Sequence, residues 1–300
     1  MDMLRVSHVS KSFGSHVVLD DLNFTVKEHT IYGFIGQNGA GKTTTMKMIL
    51  GLLKIDQGEI EVNGQKVAYG QNKTNQYIGY LPDVPEFYGY MTPMEYLKLC
   101  GEISGMSSLD IQKKASELLE LVGLKETHTR IQGFSRGMKQ RLGIAQALLN
   151  SPRLLICDEP TSALDPVGRK EILDILLSIK NQTTVIFSTH ILSDVERICD
   201  EIALLHHGKI AMQGKLDDLK NIQRSNGFEI ECYNLQDADY LANQIAGSQR
   251  LSSTKLYYPQ KTKEEMTQTM LFIANHQMTI QKIEMCEPTL ENVFMEVIEK

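Results

Sequence analysis

The sequence predicts an α/β fold in two parts. Residues 1–220 read as an α/β domain with an antiparallel β subdomain and a helical subdomain at about 90–150, and residues 228–300 as a small C-terminal α+β domain. Three stretches carry this reading. Thr30–Leu53 opens with a short apolar run, Ile31–Ile35, passes through a glycine-rich loop, and continues with Met46, Ile49, Leu50 and Leu53 at helical spacing. Leu154–Cys157 is a continuous apolar run ending in two carboxylates, Asp158 and Glu159, as in a strand buried on both faces. Thr183–Thr189 is β-branched and apolar and ends at His190. Buried strands alternating with helices form a largely parallel sheet.

The glycine-rich loop holds the most specific signal. Gly36-Gln37-Asn38-Gly39-Ala40-Gly41-Lys42-Thr43 fits G-x-x-x-x-G-K-[ST] at every defined position, between a strand and a helix start. Such a loop cradles polyphosphate with backbone N–H groups. Gly36, Gly39 and Gly41 permit the close approach and the unusual dihedrals this needs. The helix that follows points free N–H groups and its positive dipole end at the same phosphates. Lys42 supplies a point charge for the β- and γ-phosphates, and Thr43 a hydroxyl for Mg²⁺. The competing reading, a glycine-rich turn that merely precedes a helix, does not account for the full motif in this setting.

The remaining elements follow in order. Met3–Val26 reads as strands broken at Gly14-Ser15, with Phe13 just before the break. An aromatic there can stack on a base or cap a strand core. Asn63-Gly64, between strand-like runs over 58–67, signals a hairpin. Ile78–Leu81 is a short strand entering a loop at Pro82-Asp83. Thr92-Pro93-Met94-Glu95 is a capping box with proline at the first helical position. A second helix is predicted over Leu109–Val122, stopping at Gly123, and a third from after Ser135 to before Pro152. Asp165-Pro166 starts a helix to about Lys180. Ile202–Gln213 reads as a hairpin turning at His207-Gly208. A polar stretch, Leu219–Gly227, marks the boundary, and Phe228–Lys300 reads as strand, helix, strand, helix, strand, helix.

Composition narrows the class. The chain has 300 residues, 42% hydrophobic and 23% charged, which is ordinary for a globular protein. No run approaches the ~20 apolar residues of a membrane span, and the start, MDMLRVSHVS, has no signal-peptide pattern. Five scattered cysteines form no C-x-x-C pair, so neither a disulfide framework nor a zinc site is indicated, and a reducing cytoplasm fits. Net charge is −6, divided −2 and −4 at Lys220, so neither part carries a basic nucleic-acid footprint.

The glycine loop, Asp158-Glu159 and His190 all follow the C-terminal ends of predicted parallel strands, the edge where open α/β sheets bind ligands. Asp158 is placed to hold Mg²⁺, which favours few carboxylates plus phosphate oxygens and waters. Glu159 can take the proton of an attacking water. His190 can bond the γ-phosphate or that water; a plain structural histidine is the alternative. The helix after Ser135 has Arg136, Lys139 and Arg141 in its first turns and no acid, against the helix dipole. Either its start meets an anion or it is a solvated basic surface.

With these pieces in order, residues 1 to about 220 resemble the nucleotide-binding subunit of an ABC transporter, a P-loop NTPase (ABC ATPase) fold. Gly36–Thr43 matches its Walker A motif, Leu154–Asp158 its Walker B motif, and Glu159 its catalytic glutamate. Ser162-Ala163-Leu164-Asp165 matches the D-loop, and His190 the switch histidine. Phe13 stands where the family places its adenine-stacking aromatic. Phe134-Ser135-Arg136-Gly137-Met138 matches the LSGGQ signature, keeping the serine and the second glycine. Asp83 replaces the Q-loop glutamine. Both departures resemble the drug- and antibiotic-export branch, of the bacitracin- and lantibiotic-resistance type, whose members carry a small C-terminal domain. Glu287–Phe294 looks like that domain's close.

The resemblance implies ATP and Mg²⁺ as cofactors. It implies an ATP site of Phe13 and Gly36–Thr43 continuing to Thr44, catalysis by Glu159 and His190, and metal contacts from Thr43, Asp83 and Asp158. Ser135, Arg136, Gly137 and Asp165 would touch ATP bound to the opposite subunit of a head-to-tail homodimer or heterodimer. A separate membrane-spanning permease would hold the subunit at the cytoplasmic face of the membrane, with no nucleic-acid partner. An importer subunit or a soluble, non-transport ABC ATPase is the alternative. Ribosome-associated members carry two cassettes and DNA-repair members a heptad insertion; this chain has one P-loop and no such insertion. The loop Val84-Pro85-Glu86-Phe87-Tyr88-Gly89-Tyr90-Met91 is apolar for a surface segment and is expected to dock the permease, the alternative being that Phe87 and Tyr88 pack on the helical subdomain.

Overall fold

The computed structural model describes residues 1–71, 73–125, 129–222, 227–259, 261–286, 290, 291 and 294. The chain divides into two units, Met1–Leu216 and Asp217–Lys300.

The first unit opens on an antiparallel pair, β1 (Asp2–Phe13) and β2 (His16–Lys27), turning at Gly14-Ser15. β3 (Ile31–Gly36) is buried at every residue and leads through the glycine loop into α1 (Lys42–Ile49). β4 (Gln57–Val62) and β5 (Gln65–Lys66) form a hairpin on Asn63-Gly64, both with positive φ (50° and 70°), as a two-residue turn of the favoured hand requires. These strands make one antiparallel sheet, in the order β2-β1-β4-β5.

β6 (Ile78–Leu81) leads into three helices: α2 (Pro93–Ile103), α3 (Ser108–Leu121) and α4 (Arg136–Leu148). Thr92 and Glu95 close a reciprocal capping box at the start of α2, and Gly123, at φ +66°, follows the end of α3. β7 (Leu154–Asp158), α5 (Pro166–Ile179), β8 (Thr184–Thr189), α6 (Leu192–Ile198), β9 (Glu201–His206) and β10 (Lys209–Lys215) complete the unit. The second sheet runs β10-β9-β3-β8-β7-β6, parallel from β9 to β6, with β10 as an antiparallel edge. Leu4, Val6 and Phe24 from the first sheet meet Phe34, Ile156 and Ile186 from the second in one core, with the Phe24 ring 5.3 Å from that of Phe34. Burial of such side chains, at roughly 1.5–3 kcal/mol each, holds the two layers face to face.

α7 (Leu216–Ile222) spans the division between the units. The second unit contains β11 (Gly227–Cys232), α8 (Leu235–Gln244), β12 (Gln249–Arg250), β13 (Lys255–Tyr258), α9 (Lys263–Asn275) and β14 (Ile280–Cys286). The sheet order β12-β13-β11-β14, all antiparallel, makes this a ferredoxin-like β-α-β-β-α-β unit. Phe228, Ile230, Leu256 and Tyr258 pack under Ala238, Leu241 and Ile273. The middle strand expected from the sequence is thus a short hairpin. The final helix and the closing stretch Glu287–Phe294 lie mostly outside the described residues.

Candidate active site

The site is assembled at the C-terminal edge of the parallel strands. Gly41 has φ +110°, and a Cβ there would fall 2.7 Å from Leu19 Cδ2, so the turn into α1 admits only glycine. Lys42 is buried, and its Nζ donates to the carbonyls of Gly36 at 2.7 Å and Gln37 at 3.3 Å. Gln37, Asn38 and Gly39 are exposed along the loop, Ala40 N–H donates to Gln37 O at 3.1 Å, and Thr44 is half-buried one residue into α1 from Thr43.

Parallel register sets Asp158 of β7 beside Ser188 of β8. Ser188 Oγ donates to Asp158 Oδ1 at 2.6 Å, and Thr43 Oγ1 donates to Asp158 Oδ2 at 2.7 Å. Both carboxylate oxygens are therefore aimed. A hydroxyl and a carboxylate side by side are the hard oxygen donors that suit Mg²⁺. Mg²⁺ is commonly held by one or two protein oxygens, with phosphate oxygens and waters filling its other positions, and this pair fits that pattern.

Glu159 has φ +49°, a strained conformation for a residue with a side chain, of a kind that costs about 1–3 kcal/mol and clusters at functional sites. Its N–H lies 3.1 Å from both the carbonyl and the hydroxyl of Ser188. The carboxylate, largely buried, sits between two cationic or proton-bearing groups. Oε1 is 3.0 Å from Lys42 Nζ, an ion pair without well-aligned hydrogen-bond geometry. Oε2 is 3.0 Å from Nδ1 of the half-exposed His190. Next along the chain, Thr161 Oγ1 donates to Asp194 Oδ2 at 2.7 Å, pinning the turn after Glu159 to α6. Burial pushes the Asp194 carboxyl above its usual range, against the pull of the Thr161 hydroxyl and Arg169. Tyr80, beside this edge, is pushed up to about 12, mainly by burial and then by Asp158.

Other sequence-selected residues lie apart from this cluster. Ser135 caps α4, its Oγ accepting from Met138 N–H at 3.2 Å. Asp165 caps α5 by accepting from Gly168 N–H at 2.8 Å. Gly137 faces open space, the nearest side-chain atom to a Cβ there being Leu164 Cδ2 at 3.9 Å. Phe13 is exposed, with Lys11 Nζ 5.3 Å above its ring. The described contacts of the Asp83 carboxylate are with Arg136 and Ser162, not with Thr43 or Asp158. In the following loop Tyr88 and Tyr90 are 55% and 63% exposed, while Phe87 is half-buried, edge-on to Tyr96 at 5.1 Å. Phe87 thus belongs to the packing of the helical subdomain rather than to the exposed apolar surface.

Sequence reasoning passed over Ser188, Thr161 and Asp194. The available signal was Ser188 itself, a serine among β-branched and aromatic residues in a fully buried strand, where its hydroxyl needs a partner.

The ABC transporter family profile matches residues 19–162. The chain is 45% identical over 229 residues, 76% of each chain, to YxlF of Bacillus subtilis (strain 168), described as an uncharacterized ABC transporter ATP-binding protein. It is 41% identical to the bacitracin transport ATP-binding protein BcrA of Bacillus licheniformis, over 74% of this chain and 72% of that one. Among solved structures, a dimeric ATP-binding cassette in a post-hydrolysis state, bound to ADP and Pi, superposes with a TM-score of 0.64 at 26% identity, covering 71% of this chain and 99% of the other.

Proposed function

This chain belongs to the ABC transporter ATP-binding proteins, and from that premise we propose that it powers an exporter of a drug, antibiotic or peptide through an ATP-driven head-to-tail dimer. As an ATP-hydrolysing transporter subunit it needs a base beside the γ-phosphate. The observation that carries our assignment is the Glu159 carboxylate, held 3.0 Å from both Lys42 Nζ and His190 Nδ1. Lys42 belongs to the phosphate-binding loop, so a carboxylate at its ammonium is within reach of a water attacking the terminal phosphate. Glu159 takes that water's proton, and His190, on its other oxygen, orients the carboxylate and reaches the same phosphate. General-base catalysis of this kind supplies typically ~10²–10⁴ in rate.

Thr43 and Asp158 would hold Mg²⁺, which when bound offsets negative charge on the phosphates. Gly36–Thr44 bind the phosphates through backbone and hydroxyl groups, and the exposed Phe13 ring is free to stack on adenine. The start of α4, capped by Ser135, with Arg136, Gly137 and no acid in its first turn, is an anion-binding end. Its natural anion is ATP on the opposite subunit, with Asp165 from the adjoining turn. The dimeric relative supports this arrangement. BcrA's role in bacitracin transport supports export of a peptide-like antibiotic.

No described helix is long and apolar enough to cross a membrane. As a subunit of an ABC transporter, the chain works with a permease partner, at the cytoplasmic face. Exposed Val84, Tyr88 and Tyr90, just after Asp83, form the apolar surface for docking it. Purification of the tagged chain from membranes tests the reading. A co-purifying protein with about six apolar spans, by the ~20-residue span rule, is expected, together with antibiotic sensitivity when the chain is deleted. Recovery only from the soluble fraction, with unchanged resistance, would overturn it.

A further inference from the structure

Two of the positions where this chain departs from the pattern it otherwise resembles are in contact. Asp83 stands in place of glutamine and Arg136 in place of glycine. Arg136 Nη2 donates to Asp83 Oδ1 at 3.2 Å and to Ser162 Oγ at 3.0 Å, and Ser162 Oγ donates to the same Asp83 oxygen at 2.6 Å. The three groups close a ring of hydrogen bonds across positions 53 and 79 residues apart in sequence. Beneath it, buried Gln140 donates to the Asp83 carbonyl at 2.6 Å. A Cβ at Gly143 would fall 2.5 Å from Leu81 Cδ1, so α4 lies directly against the residues flanking Asp83. Arg136, Gln140 and Gly143 are spaced i, i+4, i+7, a single helix face applied to residues 81–85.

We propose that Asp83 is a positioning residue rather than a metal ligand: it ties Arg136 at the α4 start and Ser162 in the turn after Glu159 to the segment leaving β6. Asp83 and Arg136 then work only as a pair. Their side chains are 48% and 43% exposed, and an ion pair that open contributes little by itself. The positioning comes from the shared Ser162 hydroxyl and from the buried Gln140 bond below it. Charge makes the pair mutually dependent. With Arg136 alone removed, an unpaired carboxylate remains at an anion-binding helix start; with Asp83 alone neutralised, Ser162 and Arg136 lose their charged acceptor. The inference rests on the proposed role of the α4 start in ATP hydrolysis.

A double-mutant cycle on the full chain tests it, using Asp83→Gln, Arg136→Gly and the two together. Each single change is expected to lower kcat about tenfold, with KM for ATP and the half-saturating Mg²⁺ concentration within about twofold, and the double variant to recover to within about threefold of the parent. In the nucleotide-free chain, hydrogen exchange over residues 135–141 and 160–165 should rise together in Asp83→Gln, a readout independent of turnover. A double variant as slow as the product of the singles, an unchanged kcat in either single, or Mg²⁺ dependence shifted more than about fivefold by Asp83→Gln would overturn the proposal. Melting curves identify a variant that merely unfolds, and Asp83→Asn, closer in shape, then replaces Asp83→Gln. The contacts lie within one chain, so failure of ATP-driven dimerisation would leave the hydrogen-exchange comparison readable and would count against the dimer instead.

Discussion

Ser188→Ala isolates the support beneath the carboxylate proposed to bind the metal, Asp158. The Ser188 side chain is fully buried and its hydroxyl donates to Asp158 Oδ1 at 2.6 Å. Alanine leaves that charged oxygen without a donor, a loss that costs ~1–3 kcal/mol. The turn itself should persist, because Glu159 N–H keeps the Ser188 carbonyl at 3.1 Å. The expected fall in melting temperature is roughly 2–12 °C for a domain of this size. The functional effect should be larger and of a particular kind. Asp158 would still receive the Thr43 hydroxyl at 2.7 Å but could swing about that one bond. Losing such a supporting group typically costs ~10–100-fold in metal affinity or activity. Phosphate release measured across a Mg²⁺ titration should therefore show half-saturation raised by about that factor, with the KM for ATP at saturating Mg²⁺ little changed. A lowered melting temperature with parental Mg²⁺ dependence would mean that Ser188 only packs, and would refute the orienting role.

Four further outcomes follow from the same contacts. Lys42→Ala should weaken ATP binding, read by equilibrium titration, because it removes the buried ammonium that holds the loop carbonyls and would meet the phosphates. Ser135→Arg should abolish hydrolysis while sparing ATP binding, and mixing it with Lys42→Ala subunits should restore one working site per dimer; loss of binding in the single variant would place Ser135 in its own subunit's pocket. Tyr88→Asp should melt normally yet lose the membrane partner on co-purification, whereas Phe87→Asp should lower the melting temperature through the lost contact with Tyr96. Asp194 concerns pH: its carboxyl is raised by burial, so the folded chain holds that proton more tightly than the unfolded chain. Its contribution to stability is then present at low pH and lost as the pH rises from the ordinary carboxylate range through the raised value. The melting difference between Asp194→Asn and the parent should accordingly shift in the variant's favour between pH 4 and pH 7, whereas a pH-independent difference would count against it.

What the sequence could disclose was whatever is written in local order. The apolar runs at Ile31–Ile35 and Leu154–Cys157 marked buried strands because parallel strands under helices have no polar face. The glycine loop, the caps at Thr92 and Asp165 and the Asn63-Gly64 turn are similarly local. α6 was overlooked because seven residues give too little periodicity to register. Phe87 and Tyr88 look alike in sequence and both rings lie near Tyr96, at 5.1 and 6.4 Å; only the folded loop shows that Phe87 is half-buried there and Tyr88 exposed. The partners of Asp83, Asp158 and Glu159 depend on sheet register and on the crossing of α4 over β6, which no local pattern encodes. The positive φ of Glu159 has no sequence signal either, since glutamate rarely adopts it.

The central claim is that Glu159 is the base that opens an ATP-bonded dimer, and sizing of the Glu159→Gln chain by chromatography tests it most directly. With ATP and Mg²⁺ the variant is expected to bind nucleotide, to turn over ~10²–10⁴-fold more slowly than the parent, and to elute as a dimer, returning to monomer when ATP is exchanged for ADP. An ATP-bound variant that stays monomeric, or one that hydrolyses ATP at the parental rate, would contradict it.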